Sequence, residues 1–169
     1  LYSSSKGFLG YCYSKVGWED LRCIDAFIEM LSFLIPKEVI VSSIKIYGDI
    51  NEHTKLYELS KTNEEVRNRL IEFNVIKNIN LEAKKEAFHF EGRLPDKILR
   101  DFIVYQTSIG ELSCHGFITN NEKKLIIYPH DDCGLGFIAC NDELREQYLK
   151  ELKSYAERFS DILDLSLLK

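Results

Sequence analysis

The sequence predicts an α+β fold, a single domain with a largely antiparallel sheet packed by about three helices. Three observations lead there. Segments with a period of two and segments with a helical period do not alternate regularly along the chain. The strand-like stretches between residues 111 and 140 are joined by turns too short for parallel crossovers. The 169 residues are 45% hydrophobic, contain no repeat, low-complexity tract or linker, and suffice for one core, so residues 1–169 are read as one domain.

In chain order, residues 8–13 read as a short aromatic strand, after which Gly17 and Trp18 punctuate the start of a first helix. In that helix Leu21, Ile24, Ile28, Leu31 and Ile35 recur at three and four, Glu19 and Asp20 complement the dipole, and Pro36 ends the run. Residues 39–47 are β-branched and form a strand that stops at Gly48 and Asp49. A second helix begins at the capping box of Thr62 and Glu65, buries Val66, Leu70 and Phe73, and ends near Asn74. Residues 75–91 then look strand-like but charged.

Leu94, Pro95 and Asp96 start a turn or helix, and residues 97–105 read as a short helix whose later part becomes strand. A meander follows: strand 111–119, a turn at Asn120 and Asn121, strand 124–128, a loop, and strand 135–140. Asn141 and Asp142 cap a final helix whose apolar face runs through Leu144, Tyr148, Leu152, Tyr155, Phe159 and Ile162.

Composition narrows the function. The longest apolar run stops at Pro36, far short of the ~20 residues that span a bilayer, so no membrane partner is expected. The first residues lack the positive-then-apolar order of a signal peptide. Five cysteines, irregularly spaced and without a C-x-x-C pair, fit a reducing cytoplasmic setting better than a disulfide framework or a zinc knuckle. Net charge is −5: residues 1–85 carry 12 acidic and 12 basic side chains, and residues 86–169 carry 15 and 10. With no basic stripe, nucleic acid is not an expected partner, whereas an acidic half suits a basic protein.

The densest polar chemistry is Tyr128-Pro129-His130-Asp131-Asp132-Cys133-Gly134. No metal site is expected there, because adjacent residues of an extended loop seldom converge on one ion and spaced ligands are missing. No cofactor is implied, since Gly134-Leu135-Gly136 lacks the spacing of a phosphate loop. Cys133 with His130 or His115 and Asp131 would make a nucleophilic site if the fold united them. A purely structural reading has Asp131 and Asp132 forming a turn, with Gly134 and Gly136 in turn conformations. The preferred use is recognition: Asp131 and Asp132 accept hydrogen bonds from a basic partner, beside His130 and an anchoring Tyr128, with Glu143 and Glu146 at the last helix start extending the surface.

Residues 117–139, with Gly-Phe-Ile-Thr-Asn-Asn and Leu-Ile-Ile-Tyr-Pro-His-Asp-Asp-Cys-Gly-Leu-Gly-Phe-Ile-Ala, resemble small bacterial domains with a Tyr-x-x-Asp-Asp-Arg-Gly signature found in toxin-immunity proteins. The chain departs from that pattern at Cys133, where the signature has Arg. The resemblance implies an immunity protein of the contact-dependent growth inhibition type, which neutralises a cognate protein toxin in the cytoplasm without catalysis. The alternative is a small cysteine-dependent hydrolase or transferase using the His130–Cys133 loop. A subunit of a larger assembly is a third reading, and the oligomeric state is left open.

Overall fold

A computed structural model describes residues 5–16, 22–35, 39–45, 61–75, 87–109, 114–130 and 134–167. Among the described residues seven strands form one sheet: β1 (Phe8–Ser14), β2 (Val39–Lys45), β3 (Ala87–Gly92), β4 (Cys114–Asn120), β5 (Leu125–His130), β6 (Gly134–Ala139) and β7 (Leu163–Leu167). Their order is β3-β2-β4-β5-β6-β1-β7, and every neighbouring pair is antiparallel. The α-helices among the described residues are α1 (Arg22–Leu34), α2 (Lys61–Glu72), α3 (Asp96–Val104) and α4 (Arg145–Arg158). The class is α+β.

Antiparallel pairing throughout fixes the connections. Because β3 and β4 both flank β2, they run parallel to each other, and the chain between them carries α3 past the intervening strand. The same holds for β6 and β7, which flank β1 and are joined through α4. Crossovers thus exist outside the 111–140 stretch, but each skips at least one strand, so no parallel ladder forms. The β4–β5–β6 meander matches expectation. Its first turn is closed by Lys124 N–H to Asn120 C=O (2.9 Å) and by the Asn120 side chain accepting from Lys123 N–H (2.9 Å).

Alternation along the strands separates two faces. One carries Cys12, Ile118, Leu125, Ile127, Leu135 and Phe137 into a core shared with Phe27, Leu31, Leu70, Phe102 and Leu152 of the four helices. The other carries an aromatic row in which Tyr11 touches Phe8, Tyr13 and Tyr128, and Tyr128 also meets Phe117. Gly116 of β4 is required by the helix layer: a Cβ there would lie 2.3 Å from the Phe102 ring and 2.9 Å from the Gln106 amide oxygen. Removing that methyl group lets α3 approach the sheet backbone.

Local chemistry explains the helix boundaries. The α2 C-terminus is a Schellman motif: Asn74 sits at φ 56°, Val75 N–H donates to Leu70 C=O (2.9 Å), and Asn74 N–H to Ile71 C=O (2.9 Å). Leu70 and Val75 are both fully buried, supplying the apolar contact that accompanies the motif. At its other end α2 already includes Lys61 and Thr62, so Thr62 is inside the helix rather than flanking it as a capping-box residue. Residues 17–21, 46–60 and 76–86 lie outside the described residues, and with them the expected roles of Glu19 and Asp20 and most of the charged strand from 75.

Two expectations fail. Residues 97–105 do not become strand: α3 continues into a π-helical turn, Tyr105–Ile109, with the Thr107 hydroxyl donating to Ile103 C=O (2.8 Å). The β-branched run looked strand-like, but Ile98, Leu99, Phe102 and Ile103 bury at helical spacing, and tertiary burial overrides local propensity. The final helix also stops earlier, at Arg158. Phe159 accepts from Ile162 N–H and Leu163 N–H in a turn, and the chain returns as β7.

The most buried of the described ion pairs between helices joins α2 to α3. Arg69 of α2 grips Asp101 of α3 in a bidentate fork, Nε to Oδ2 at 2.6 Å and a terminal nitrogen to Oδ1 at 2.9 Å. Asp101 is 6% exposed, and its hydrogen bond holds the Arg69 guanidinium above its ordinary range. Burying that carboxylate without its partner would leave an uncompensated charge. Arg69→Gln, which strands that carboxylate, and Asp101→Asn, which loses the charge-assisted bonds, should therefore each cost about 2 kcal/mol, typical for a hydrogen bond to a charged group. Urea unfolding of Asp101→Asn, Arg69→Gln and the double variant measures this; additive losses would show that the fork contributes no coupling.

Candidate functional site

The β5–β6 hairpin positions the polar run singled out in the sequence. Its ladder runs from Leu125 opposite Ala139 to His130 opposite Gly134, so residues 131–133 make the connection. Asp131, Asp132 and Cys133 lie outside the described residues, and His130 is described by its backbone alone. Gly134 and Gly136 are strand residues of β6, not turn residues.

Tyr128 is placed differently from expectation. It is 2% exposed, with its ring lying over Gly136 on the neighbouring strand: a Cβ at Gly136 would come within 2.2 Å of the ring. Tyr11 closes one side, edge-on at 6.2 Å between centroids, and Phe117 the other at 6.2 Å. An aromatic ring over a cross-strand glycine fills the space the absent side chain leaves and helps pin the register. Tyr128 thus packs within the sheet and offers no exposed aromatic anchor. The signal was present in Gly-Leu-Gly, whose period of two matches the tyrosines at 11, 13 and 128.

Glu143 and Glu146 are exposed, as a recognition surface needs. Asn141, in extended conformation, accepts from Glu143 N–H (2.8 Å) and caps a 3-10 turn, Asp142–Leu144, which leads into α4. Acidic side chains occupy the first turn of each: Asp142 and Glu143, then Glu146. Arg145 ties this corner to β1 by donating to the carbonyls of Phe8 (3.0 Å) and Lys6 (3.3 Å). Buried Tyr148 donates to Lys123 C=O and so holds α4 against the β4–β5 turn, which contributes exposed Glu122. Burial is the first cause, and the Glu151 carboxylate the second, raising the Tyr148 phenol above its ordinary range, so it remains a donor. Asp142, Glu122, Arg145 and Tyr148 were not singled out as a surface, because only the tertiary contact between turn and helix unites them.

Asp131 and Asp132 themselves lie outside the described residues, but the strand ends that flank them and the Glu143–Glu146 corner are both described. The connection 131–133 begins and ends at one end of the hairpin, His130 opposite Gly134; Cys140, Asn141 and the acidic corner follow the other end. The six residues of β6 set them roughly 20 Å apart at ~3.3 Å per residue. A partner touching both ends must reach along the full length of the strand.

Cys12 and Cys23 are buried, Cys140 is exposed, and none of the three forms a disulfide. Among the described residues no group of three or more His, Cys, Asp or Glu side chains is arranged to hold a metal ion, and no helix is long and apolar enough to cross a membrane. Burial, and then the Asp164 carboxylate, pushes the Cys12 thiol up to about 12 from its ordinary 9.0. A thiol held neutral in the fold stabilises it below the unfolded-state value, and that contribution is lost as pH rises through the folded value. From pH 9 towards 12, wild type should thus lose stability relative to Cys12→Ala, by up to about 1.4 kcal/mol per pH unit. Denaturant melts of both proteins across that range test it; a constant difference between them would mean that Cys12 ionises normally in the fold.

No family model matches this chain, and neither a curated protein nor a solved structure was found to be similar to it.

Proposed function

We propose that this chain is an immunity protein that binds and neutralises a basic cognate toxin in the bacterial cytoplasm without catalysis. The observation that carries the reading is the acidic corner: Glu122, Asp142, Glu143 and Glu146 stand exposed on backbone that Asn141, Arg145 and Tyr148 hold in place. A charged surface on rigid elements pays little ordering entropy when it docks, and its field accelerates encounter with a basic partner. Lys123 and Lys124 in the same turn temper the field without cancelling four carboxylates. The likeness of residues 117–139 to immunity domains supports the same reading. Asp131 and Asp132, which follow His130 in sequence, supply a second contact that a large interface reaches.

The partner is sought by capturing bound chains from the native host and expressing each alone and together with this protein. A growth-inhibiting chain neutralised by stoichiometric binding is the expected result; an inhibitor that acts at substoichiometric amounts would replace the binding reading with the cysteine-dependent enzyme centred on His130 and Cys133. For the captured toxin, Glu143→Lys with Glu146→Lys should slow association about tenfold at low salt, with the difference shrinking as salt screens it. Asp131→Lys with Asp132→Lys serves as the comparison. Loss confined to that second pair would move the interface to the opposite end of the sheet.

A further inference from the structure

Among the described residues β7 has one neighbour, β1, so its outer side is an edge of the sheet. Which backbone groups face outward is settled by two hydrogen bonds. Leu163 N–H donates to Phe159 C=O (2.7 Å), and Leu165 N–H to the carboxylate of adjacent Asp164 (3.0 Å). Neither serves β1. The alternation of an antiparallel ladder then turns the N–H and C=O groups of residues 163, 165 and 167 outward, and those of 164 and 166 toward β1.

The strand reads Leu163-Asp164-Leu165-Ser166-Leu167, which is self-complementary about its centre. Laid antiparallel against a second copy with Leu165 opposite Leu165, it sets each Asp164 opposite a Ser166 and each Leu163 opposite a Leu167. No like charges meet. The pairing uses the outward groups: Leu165 N–H to the second copy's Leu165 C=O, Leu167 N–H to the second copy's Leu163 C=O, and the reciprocal pair. Leu163 and Leu165 lie on the same face as Cys12, which is in register with Leu165, so they extend the core face of the sheet across the junction.

β7 also lacks the usual protections of an edge, having no proline, lysine or bulge. Its one guard is the Asp164 carboxylate on Leu165 N–H. We propose that β7 is a docking edge for a second copy of this chain, two sheets joining antiparallel through Leu165 while Asp164 passes from Leu165 N–H to the opposing Ser166 hydroxyl. Four strand bonds and a short leucine row make the pair reversible and concentration-dependent rather than obligate.

Sedimentation of the full chain from micromolar to sub-millimolar concentration tests this directly. The expected result is a monomer–dimer equilibrium. Leu165→Pro removes an outward N–H without touching the β1 ladder, a position where an edge strand accepts proline, and should yield a folded monomer. Ser166→Asp places two Asp–Asp pairs across the junction and should weaken dimerisation about tenfold or more. Asp164→Ser combined with Ser166→Asp restores the Asp–Ser pairing in reverse order and should recover it. A wild type that stays monomeric throughout overturns the proposal, as does a dimer indifferent to both Leu165→Pro and Ser166→Asp. These outcomes are independent of toxin capture.

Discussion

The register of β6 is the constraint on which the rest of the structure depends. Leu135 and Phe137 face the core through pairs with Pro129 and Ile127 on one side and Cys12 and Gly10 on the other. Gly134 and Gly136, one residue out of phase, leave room for Tyr13 and Tyr128 on the opposite face. A slip by one residue would exchange the two sets, exposing Phe137 and driving a side chain into the Tyr128 ring. Both faces therefore specify the same alignment, and β6 links β1, with β7 beyond it, to the β4–β5 arm.

Everything at the acidic corner descends from that alignment. β6 ends at Ala139, Cys140 N–H donates to Lys124 C=O (2.7 Å), and Asn141 turns the chain into the 3-10 turn and α4. The corner is then fastened from three directions: Asn141 to the helix start, Arg145 to β1 and Tyr148 to the β4–β5 turn. Further along, Tyr155 packs on Phe33 of α1 at 4.9 Å, and Arg158 pairs with Glu29 at 2.7 Å. The exposed carboxylates are thus presented by a helix braced along its length, while the groups that brace it are spent on structure. This division separates Tyr128 and Tyr148, both buried, from Glu143 and Glu146, both exposed.

The helix layer depends on small and paired groups more than on bulk. Gly116 admits α3 and the π-helical turn, and the Arg69–Asp101 fork compensates the one carboxylate buried between α2 and α3. Arg100 of α3 pairs with Asp25 of α1 at the layer's outer side. That pair is exposed and contributes little, whereas the fork is half-buried and bidentate.

By itself the sequence determined the class, the meander with its turn at Asn120, the end of α2 at Asn74 and the exposure of Glu143 and Glu146, because each follows from local chemistry: alternation, turn residues, a left-handed cap, charge at a helix start. It could not determine whether residues 102–105 are helix or strand, since β-branched and aromatic residues suit either and only the face offered by Gly116 decides. Nor did it separate β7 from the helix before it: the leucines at 163, 165 and 167 run on from a helical repeat, and the period changes only where β1 offers a ladder. The split between the His130–Gly134 end of the hairpin and the 142–146 corner is likewise tertiary. Positions about ten residues apart in sequence end on opposite ends of the sheet because an extended strand of six residues separates them.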